Sequence, residues 1–130
     1  MKQKGLAAGR CSLHLRIRVL CGATIAFGPG KADLLEALQQ TGSITKAAGQ
    51  LGMSYMRAWT LIRTMNRCFR EPLVVAIRGG TRGGGGARLT ATGSKTLALY
   101  RRMEGKCLEN IQPDWLKLQK ILRTESGLKK

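Results

Sequence analysis

The sequence predicts an α+β domain that is mainly helical, and three features carry that prediction. Apolar residues recur at helical spacing in the stretches 31–40, 44–51, 55–69, 94–110 and 115–122. Gly52 separates two of these stretches, because glycine permits the positive φ of a tight turn. A β-branched segment, a glycine-rich loop and a second extended segment follow within 73–90. This order predicts a winged helix-turn-helix with a β-hairpin wing and a C-terminal dimerisation helix.

The charge of the chain is strongly one-sided. Its 130 residues suit one domain, and 23 Lys and Arg against 7 Asp and Glu give a formal net charge of +16. Because a small domain needs only about 2–8 net charges for solubility, the excess points to a polyanion: DNA, RNA or an anionic membrane surface. The chain has no uninterrupted apolar run of signal-peptide or membrane-spanning length, so we predict no membrane partner.

The N-terminal region predicts a flexible basic tail over residues 1–12, followed by the main domain over 13–112. From Leu13 to Val19 apolar and polar residues alternate, which indicates a strand with one buried face. Ile25–Phe27 is predicted to return as a second strand after a turn near Gly22, forming a hairpin beside the helices. The helix at 31–40 supplies the third member of a helical bundle.

Two serines mark the starts of the paired helices at 44–69. The hydroxyls of Ser43 and Ser54 are placed to accept from a free N–H of each first turn. The second helix has an apolar face made by Ala58, Leu61, Ile62, Met65 and Phe69. Its opposite face holds Met56, Thr60, Arg63 and Arg67. Such a basic stripe suits a helix that enters the DNA major groove, although any helical hairpin with a solvated face is the alternative.

The segment after these helices is predicted to form the wing. Leu73–Arg78 and Ala87–Thr90 form its strands around a glycine-rich loop, and three arginines surround that loop: Arg78, Arg82 and Arg88. Glycines allow close approach to a phosphate backbone, and the arginines can contact phosphates or enter the minor groove. A flexible linker is the alternative, against which the β-branched first strand argues.

The C-terminal region predicts two more helices. The first runs from Ser94 to about Asn110, and Pro113 interrupts it and begins a short helix within the last segment, 113–130. Their apolar faces exceed what a three-helix core can cover, so we predict a homodimer seam there.

Several motifs together carry a family resemblance: Gly42-Ser43-Ile44, Met53-Ser54-Tyr55, Arg57-Ala58-Trp59, the Phe69/Pro72 pair, and Leu89-Thr90 with Gly93. Through these motifs, residues 13–102 resemble the DNA-binding domain of the molybdate-responsive ModE regulators and, more distantly, LysR-type winged helices. The resemblance implies a winged helix-turn-helix, a homodimer and operator binding. Full-length ModE regulators carry molybdate-binding domains after this part. The residues past Asn110 are too few for one, so we expect a stand-alone form without molybdate binding.

The leading hypothesis is therefore a transcriptional regulator that binds specific sequences of double-stranded DNA. Base readout is assigned to residues near the start of the second helix: Tyr55, Met56, Arg57 and Thr60. Phosphate or minor-groove contacts are assigned to Lys46, Ser54, Arg63, Arg67, Arg78, Arg82 and Arg88. Trp59 either packs at the edge of the domain, which we favour, or lies against the DNA backbone.

Other function classes fit less well. An RNA-binding or nucleoid-type module suits the charge, but single-strand RNA readers use exposed aromatics on strands, and the predicted strands carry only Phe27. A protein-interaction adaptor would not need the charge. The acids are scattered and show no nucleophile–base pairing, so we predict no enzyme. The four isolated cysteines and single histidine lack zinc-ligand spacing, so we predict no metal, no cofactor and a reducing, cytoplasmic compartment.

Overall fold

The computed structural model describes residues 5–8, 11–77 and 86–123. Within these ranges the chain forms antiparallel two-stranded hairpins and helices in a mainly helical α+β arrangement. The elements in chain order are β1 Gly5–Ala8, β2 Cys11–His14, β3 Val19–Cys21, β4 Thr24–Phe27, α1 Pro29–Thr41, α2 Ile44–Gln50, α3 Tyr55–Cys68, β5 Val74–Ile77, β6 Gly86–Leu89 and α4 Ala91–Gln119. The predicted winged helix-turn-helix is confirmed.

The helix-turn-helix is set by short-range hydrogen bonds. Ser43 Oγ accepts from Lys46 N at 3.1 Å, and Ser54 Oγ accepts from Arg57 N at 3.1 Å. Each bond satisfies one of the N–H groups that have no partner in the first turn of a helix. Gly52 adopts a φ of 67° between α2 and α3, a conformation that L side chains rarely take. Both predicted caps and the predicted turn are therefore confirmed.

The core lies where α1 and α3 meet β4 and β5. Its largest fully buried apolar side chains are Phe27, Leu34, Leu35, Leu38, Ile62, Met65 and Leu73. Phe27 packs edge-on against Phe69 and Tyr100, with ring centroids 6.1 and 5.1 Å apart. The Tyr100 hydroxyl donates to Ile17 O at 2.6 Å, so α4 is tied to the segment that precedes β3. A hairpin thus sits beside the helices as predicted, but its first strand is Val19–Cys21 and not the predicted Leu13–Val19.

The strands of the wing are fixed at their base to three helices. Asn66 of α3 accepts from Leu73 N at 2.8 Å and donates to Val74 O at 3.0 Å. Thr90 caps α4 by accepting from Gly93 N, and its hydroxyl donates to Pro72 O at 2.7 Å. On the other strand, Ala87 N donates at 3.1 Å to the carbonyl oxygen of Gly42, which ends α1. The base of the wing therefore holds a fixed position beside α3.

The N-terminal region differs from the prediction. Gly5–Ala8 pairs antiparallel with Cys11–His14, where a flexible tail was expected, and residues 15–18 lie outside any strand. The alternation of half-buried and exposed residues over 11–18 is nevertheless present. The period-two pattern therefore predicted the burial of an extended chain, but it could not show which neighbour supplies the hydrogen bonds.

The C-terminal prediction of two helices is wrong, because α4 continues through Pro113. A proline inside a helix removes one hydrogen bond to the carbonyl four residues earlier. Pro113 and Glu109 are both exposed, so that carbonyl lies on the side where water can satisfy it. Trp115 is only 6% exposed, α4 contacts β1, and Cys11 Sγ of β2 donates to Arg123 O just past the helix, so the N-terminal hairpin lies near the end of α4.

An ionic cluster joins α4 to α1. Arg101 donates to Asp33 at 2.9 Å, to Glu36 at 2.7 Å and to Glu104 at 3.0 Å. Burial alone lowers the pKa of the Arg101 guanidinium, but these hydrogen bonds raise it overall. Glu104 is 1% exposed, and its Oε2 has no hydrogen-bond partner in the described part of the chain. Arg101 therefore supplies the counter-charge for a buried carboxylate.

Candidate nucleic-acid interface

The burial of α3 separates its two sides. Ala58, Ile62 and Met65 are 0–1% exposed and face the core. The four residues predicted to read bases all lie on the exposed side, in the first turns of the helix: Tyr55, Met56, Arg57 and Thr60. Met56 is 64% exposed, although a large apolar side chain normally gains free energy from burial. These side chains are therefore available to a partner.

The cations predicted to contact phosphates lie on α3 itself and on two other elements. Lys46 on α2, Arg63 and Arg67 on α3, and Arg88 on β6 are all exposed. We call these four residues, together with Arg57, the basic face. Arg78 and Arg82 lie outside the described residues. Ser54 Oγ already accepts from Arg57 N, so only its O–H remains to donate to a phosphate.

The distribution of acids is a signal that the sequence analysis did not use. Between residues 37 and 103 the only acidic residue is Glu71, and its carboxylate accepts a hydrogen bond from the Thr92 hydroxyl. Three of the acids instead surround Arg101 between α1 and α4: Asp33, Glu36 and Glu104. The surface made by α2, α3, β5 and β6 is thus free of acids, so no side-chain carboxylate of these elements repels a polyanion.

A further cation, Lys31, is excluded from this surface. It is 8% exposed, and its Nζ donates to Ile25 O. Burial lowers the pKa of its amine, because desolvation disfavours the charged form. Lys31 therefore joins α1 to the β3–β4 hairpin instead of adding to the basic face.

A cleft of about 340 Å³ lies where α2, α3 and the wing strands meet. Its lining comes from each of these elements: Ser43, Ile44, Thr45, Tyr55, Trp59, Ala76, Ile77 and Gly86. Trp59 is 37% exposed, so its ring forms a wall of the cleft without being enclosed. The sequence analysis missed this cleft, because it requires wing residues to meet helices that lie far away in sequence.

The described residues contain neither a candidate membrane span nor a candidate metal site. No helix in this part of the chain is long and apolar enough to cross a membrane. No cluster of three or more His, Cys, Asp or Glu side chains in the described ranges is arranged to hold a metal ion.

Part of this architecture matches a known protein family. Residues 31–94 match the model for the bacterial regulatory helix-turn-helix protein of the lysR family. These residues therefore resemble a LysR-type helix-turn-helix domain. The matched range begins in α1 and ends in the first turn of α4, so it includes both turn helices and the wing strands.

Among characterised proteins, the relatives of this domain include two whose names mention molybdenum and one named as a transcriptional regulator. The chain is 49% identical over 79 residues to the molybdenum transport protein ModE of Azotobacter vinelandii, covering 61% of this chain and 29% of that protein. It is 41% identical over 103 residues to the molybdenum-pterin-binding protein MopB of Rhodobacter capsulatus, covering 79% of this chain and 37% of that protein. It is 38% identical over 97 residues to the transcriptional regulator ModE of Yersinia pestis, covering 72% of this chain and 36% of that protein. These matches fit a ModE-type helix-turn-helix domain. The chain spans about a third of the length of each relative.

Proposed function

We propose that this chain is a sequence-specific regulator of transcription that binds double-stranded DNA through α3 and the wing. The observation that carries the proposal is the acid-free basic face around a capped helix of a LysR-type helix-turn-helix domain. A helix of this kind enters the major groove and reads base edges with its N-terminal residues. The proposed location is the cytoplasm, because the three relatives come from bacteria, whose DNA lies there. The proposal needs no catalytic group and assigns no molybdate site to these residues.

Within this proposal the residues have separate roles. Arg57 can make a bidentate contact with guanine, while Met56 and Thr60 can contact a thymine methyl group. Tyr55 lies at the first position of the helix, beside them. Lys46, Arg63, Arg67 and Arg88 neutralise phosphates and set the register of the domain on the duplex. The arginines of the wing loop, Arg78 and Arg82, are assigned the same role from the sequence.

The experiment selects bound sites from random duplexes and then titrates the selected and a random duplex in parallel. We expect binding to the selected duplex to be stronger and to survive competition by RNA. Ala58→Asp places a carboxylate at a position that is 0% exposed, so it should unfold the domain and abolish all binding. Equal affinity for selected and random duplexes would refute sequence-specific recognition.

The phosphate roles are tested by salt dependence. Lys46→Ala and Arg88→Ala should each reduce the slope of log K against log salt by about 0.9 per subunit. The loss of affinity should be similar on selected and random duplexes, because phosphates are present in both. Lys106→Ala is the control, since this exposed lysine lies on α4, outside the basic face. If Lys106→Ala reduces the slope as much as the other two changes, the phosphate assignment is wrong.

The RNA-binding alternative receives little support from the strands. Phe27, the aromatic residue of the described strands, is 1% exposed and packs inside the core. It cannot stack on an unpaired base, which is how RNA-binding sheets hold single strands. Loss of the duplex complex under a modest excess of RNA would favour this alternative.

We also propose that the chain acts as a homodimer through α4. The helix leaves Leu99 and Met103 exposed by 47% and 45%, and Leu118 and Ile121 are exposed beyond them. Leu99 and Met103 are four residues apart and therefore share one stripe of the helix. Because Trp115 is buried within the chain, the apolar surface left for a partner is smaller than the sequence suggested.

Sedimentation at micromolar concentration tests the dimer. The wild-type chain should sediment at twice its 14.2 kDa mass, and Leu99→Glu combined with Met103→Glu should give a monomer. Ala98→Glu, compared with Leu99→Glu alone, is the matched control, because each places one carboxylate on an exposed position and the two positions lie on different sides of α4. A wild-type monomer, with and without DNA, would refute the dimer.

A further inference from the structure

We propose that the cleft between α3 and the wing seats one sugar–phosphate unit of a DNA strand, with the deoxyribose against the Trp59 ring. The inference deepens the proposed function and rests on it, because it names the part of the duplex that this surface receives. It also assigns a contact to Trp59, for which the sequence analysis favoured simple packing.

The lining of the cleft matches this occupant in chemistry. Ile44, Trp59, Ala76 and Ile77 provide apolar walls, and three hydroxyls accompany them: Ser43, Thr45 and Tyr55. None of the lining residues is charged. An isolated phosphate would call for a cation among them, and a base edge would call for a matched pair of donors and acceptors. A deoxyribose offers an apolar side, and its phosphate oxygens accept hydrogen bonds from Ser, Thr and Tyr hydroxyls.

The position of the cleft leads to the same conclusion. Tyr55 and Trp59, from the part of α3 that is assigned to base readout, line one side of it, and the β5–β6 hairpin lines the other. If α3 enters the major groove and the wing lies over the neighbouring minor groove, the surface between them faces the strand that separates the two grooves. A nucleotide backbone is therefore the part of the duplex that meets the cleft.

Cations flank the cleft where the adjoining phosphates would pass. Lys46 follows Thr45 on α2 and is exposed. Arg88 is exposed on β6, two residues after Gly86, so both residues share one face of the strand. Charge therefore lies at the rim while the interior is uncharged, as a sugar between two phosphates requires.

The exposure of Trp59 leaves it free for this contact. Phe27 and Trp115 are 1% and 6% exposed, whereas Trp59 is 37% exposed on the shoulder of α3. The core-facing residues of α3 are Ala58, Ile62 and Met65, so the fold does not depend on burial of the Trp59 ring.

The two tryptophans give a direct experiment. In Trp115→Phe, Trp59 is the remaining tryptophan, and its accessibility is measured by acrylamide quenching with and without duplex. We expect quenching of Trp59 to fall to the level of buried Trp115, measured in Trp59→Phe, on both the selected and a random duplex. If Trp115→Phe does not fold, the difference between the wild-type chain and Trp59→Phe gives the same quantity. Trp59→Ala should weaken both complexes by on the order of tenfold and leave their ratio unchanged.

The remaining outcomes separate this inference from the proposed function. If duplex binds while Trp59 stays as open to acrylamide as before, the inference is wrong and DNA binding stands. If shielding occurs only on the selected duplex and disappears when its thymines are replaced by uracil, a base occupies the cleft and the inference is wrong. If no duplex binds at all, the proposed function fails and the inference fails with it.

Discussion

Gly86→Ala tests how the wing is held against the helices. The alanine Cβ would lie 2.7 Å from Gly42 O, a distance that Cβ contacts essentially never show, since they stay beyond 3.0 Å. The obstructing atom is a backbone carbonyl, so no side chain can rotate away. Either β6 or the turn before α2 must move, which lengthens the 3.1 Å bond between Ala87 N and Gly42 O.

The expected loss follows from that bond and the contact. An intramolecular hydrogen bond contributes about 0.5–1.5 kcal/mol to stability. With the cost of the displacement, Gly86→Ala should lower the free energy of unfolding by about 1–2 kcal/mol, within the range of ordinary single substitutions. Because the wing moves away from the phosphates that it is proposed to contact, affinity should fall on selected and random duplexes alike, with the ratio kept.

The assay combines a urea melt with two DNA titrations, and Gly105→Ala serves as the control. A Cβ at Gly105 meets nothing within 4 Å, and alanine in an exposed helix position should stabilise the chain by about 0.5–1 kcal/mol. DNA affinity should be unchanged in this control. If Gly86→Ala keeps both the stability and the random-duplex affinity of the wild type, the approach of β6 to Gly42 does not position the wing.

Three further predictions concern α3 and α4. Arg57→Ala and Thr60→Ala should keep the melting temperature and weak nonspecific binding. Both should reduce discrimination between selected and random duplexes, by about 1–3 kcal/mol for the arginine. An unchanged ratio of the two affinities in both variants would mean that α3 does not read bases. Arg101→Met leaves the buried Glu104 carboxylate without its counter-charge and should lower the free energy of unfolding by about 3–5 kcal/mol in urea, and a loss below that of an average surface substitution would contradict this role. Burial, followed by the nearby Glu104 carboxylate, raises the pKa of Tyr100 from 10.0 to about 12. The unfolded chain therefore ionises this phenol first, stability falls as the pH rises from 10 to 12, and Tyr100→Phe should show a shallower alkaline loss in melts across that range.

The parts of the fold predicted from sequence are those fixed by neighbours along the chain. Ser43, Gly52 and Ser54 act within a few residues of themselves, so their cap and turn roles could be recognised without a structure. The exposed side of α3 followed in the same way from helical periodicity. The continuation of α4 through Pro113 could not be predicted, because the end of this helix lies near a hairpin from the opposite end of the chain, which no local pattern indicates.

The candidate site likewise has one part that the local sequence predicts and another part that it does not. The residues assigned to base readout share one helix, and their exposure agrees with the spacing. The cleft and the wing anchor depend on pairs such as Gly42 with Gly86, whose proximity no local pattern encodes. The N-terminal strand gave no signal either, since Gly5–Ala8 is short and contains small residues with low strand propensity.

The separation of charge between the basic face and the Arg101 cluster has a kinetic consequence. A chain with a net charge of +16 and three of its seven acids gathered between α1 and α4 has an electric dipole as well as a net charge. The potential of the duplex acts over a Debye length of about 8–10 Å at moderate salt, so it can turn the incoming molecule before contact. Under the proposed function, more encounters then begin with α3 leading, and the association rate constant rises without any change in the contacts of the final complex.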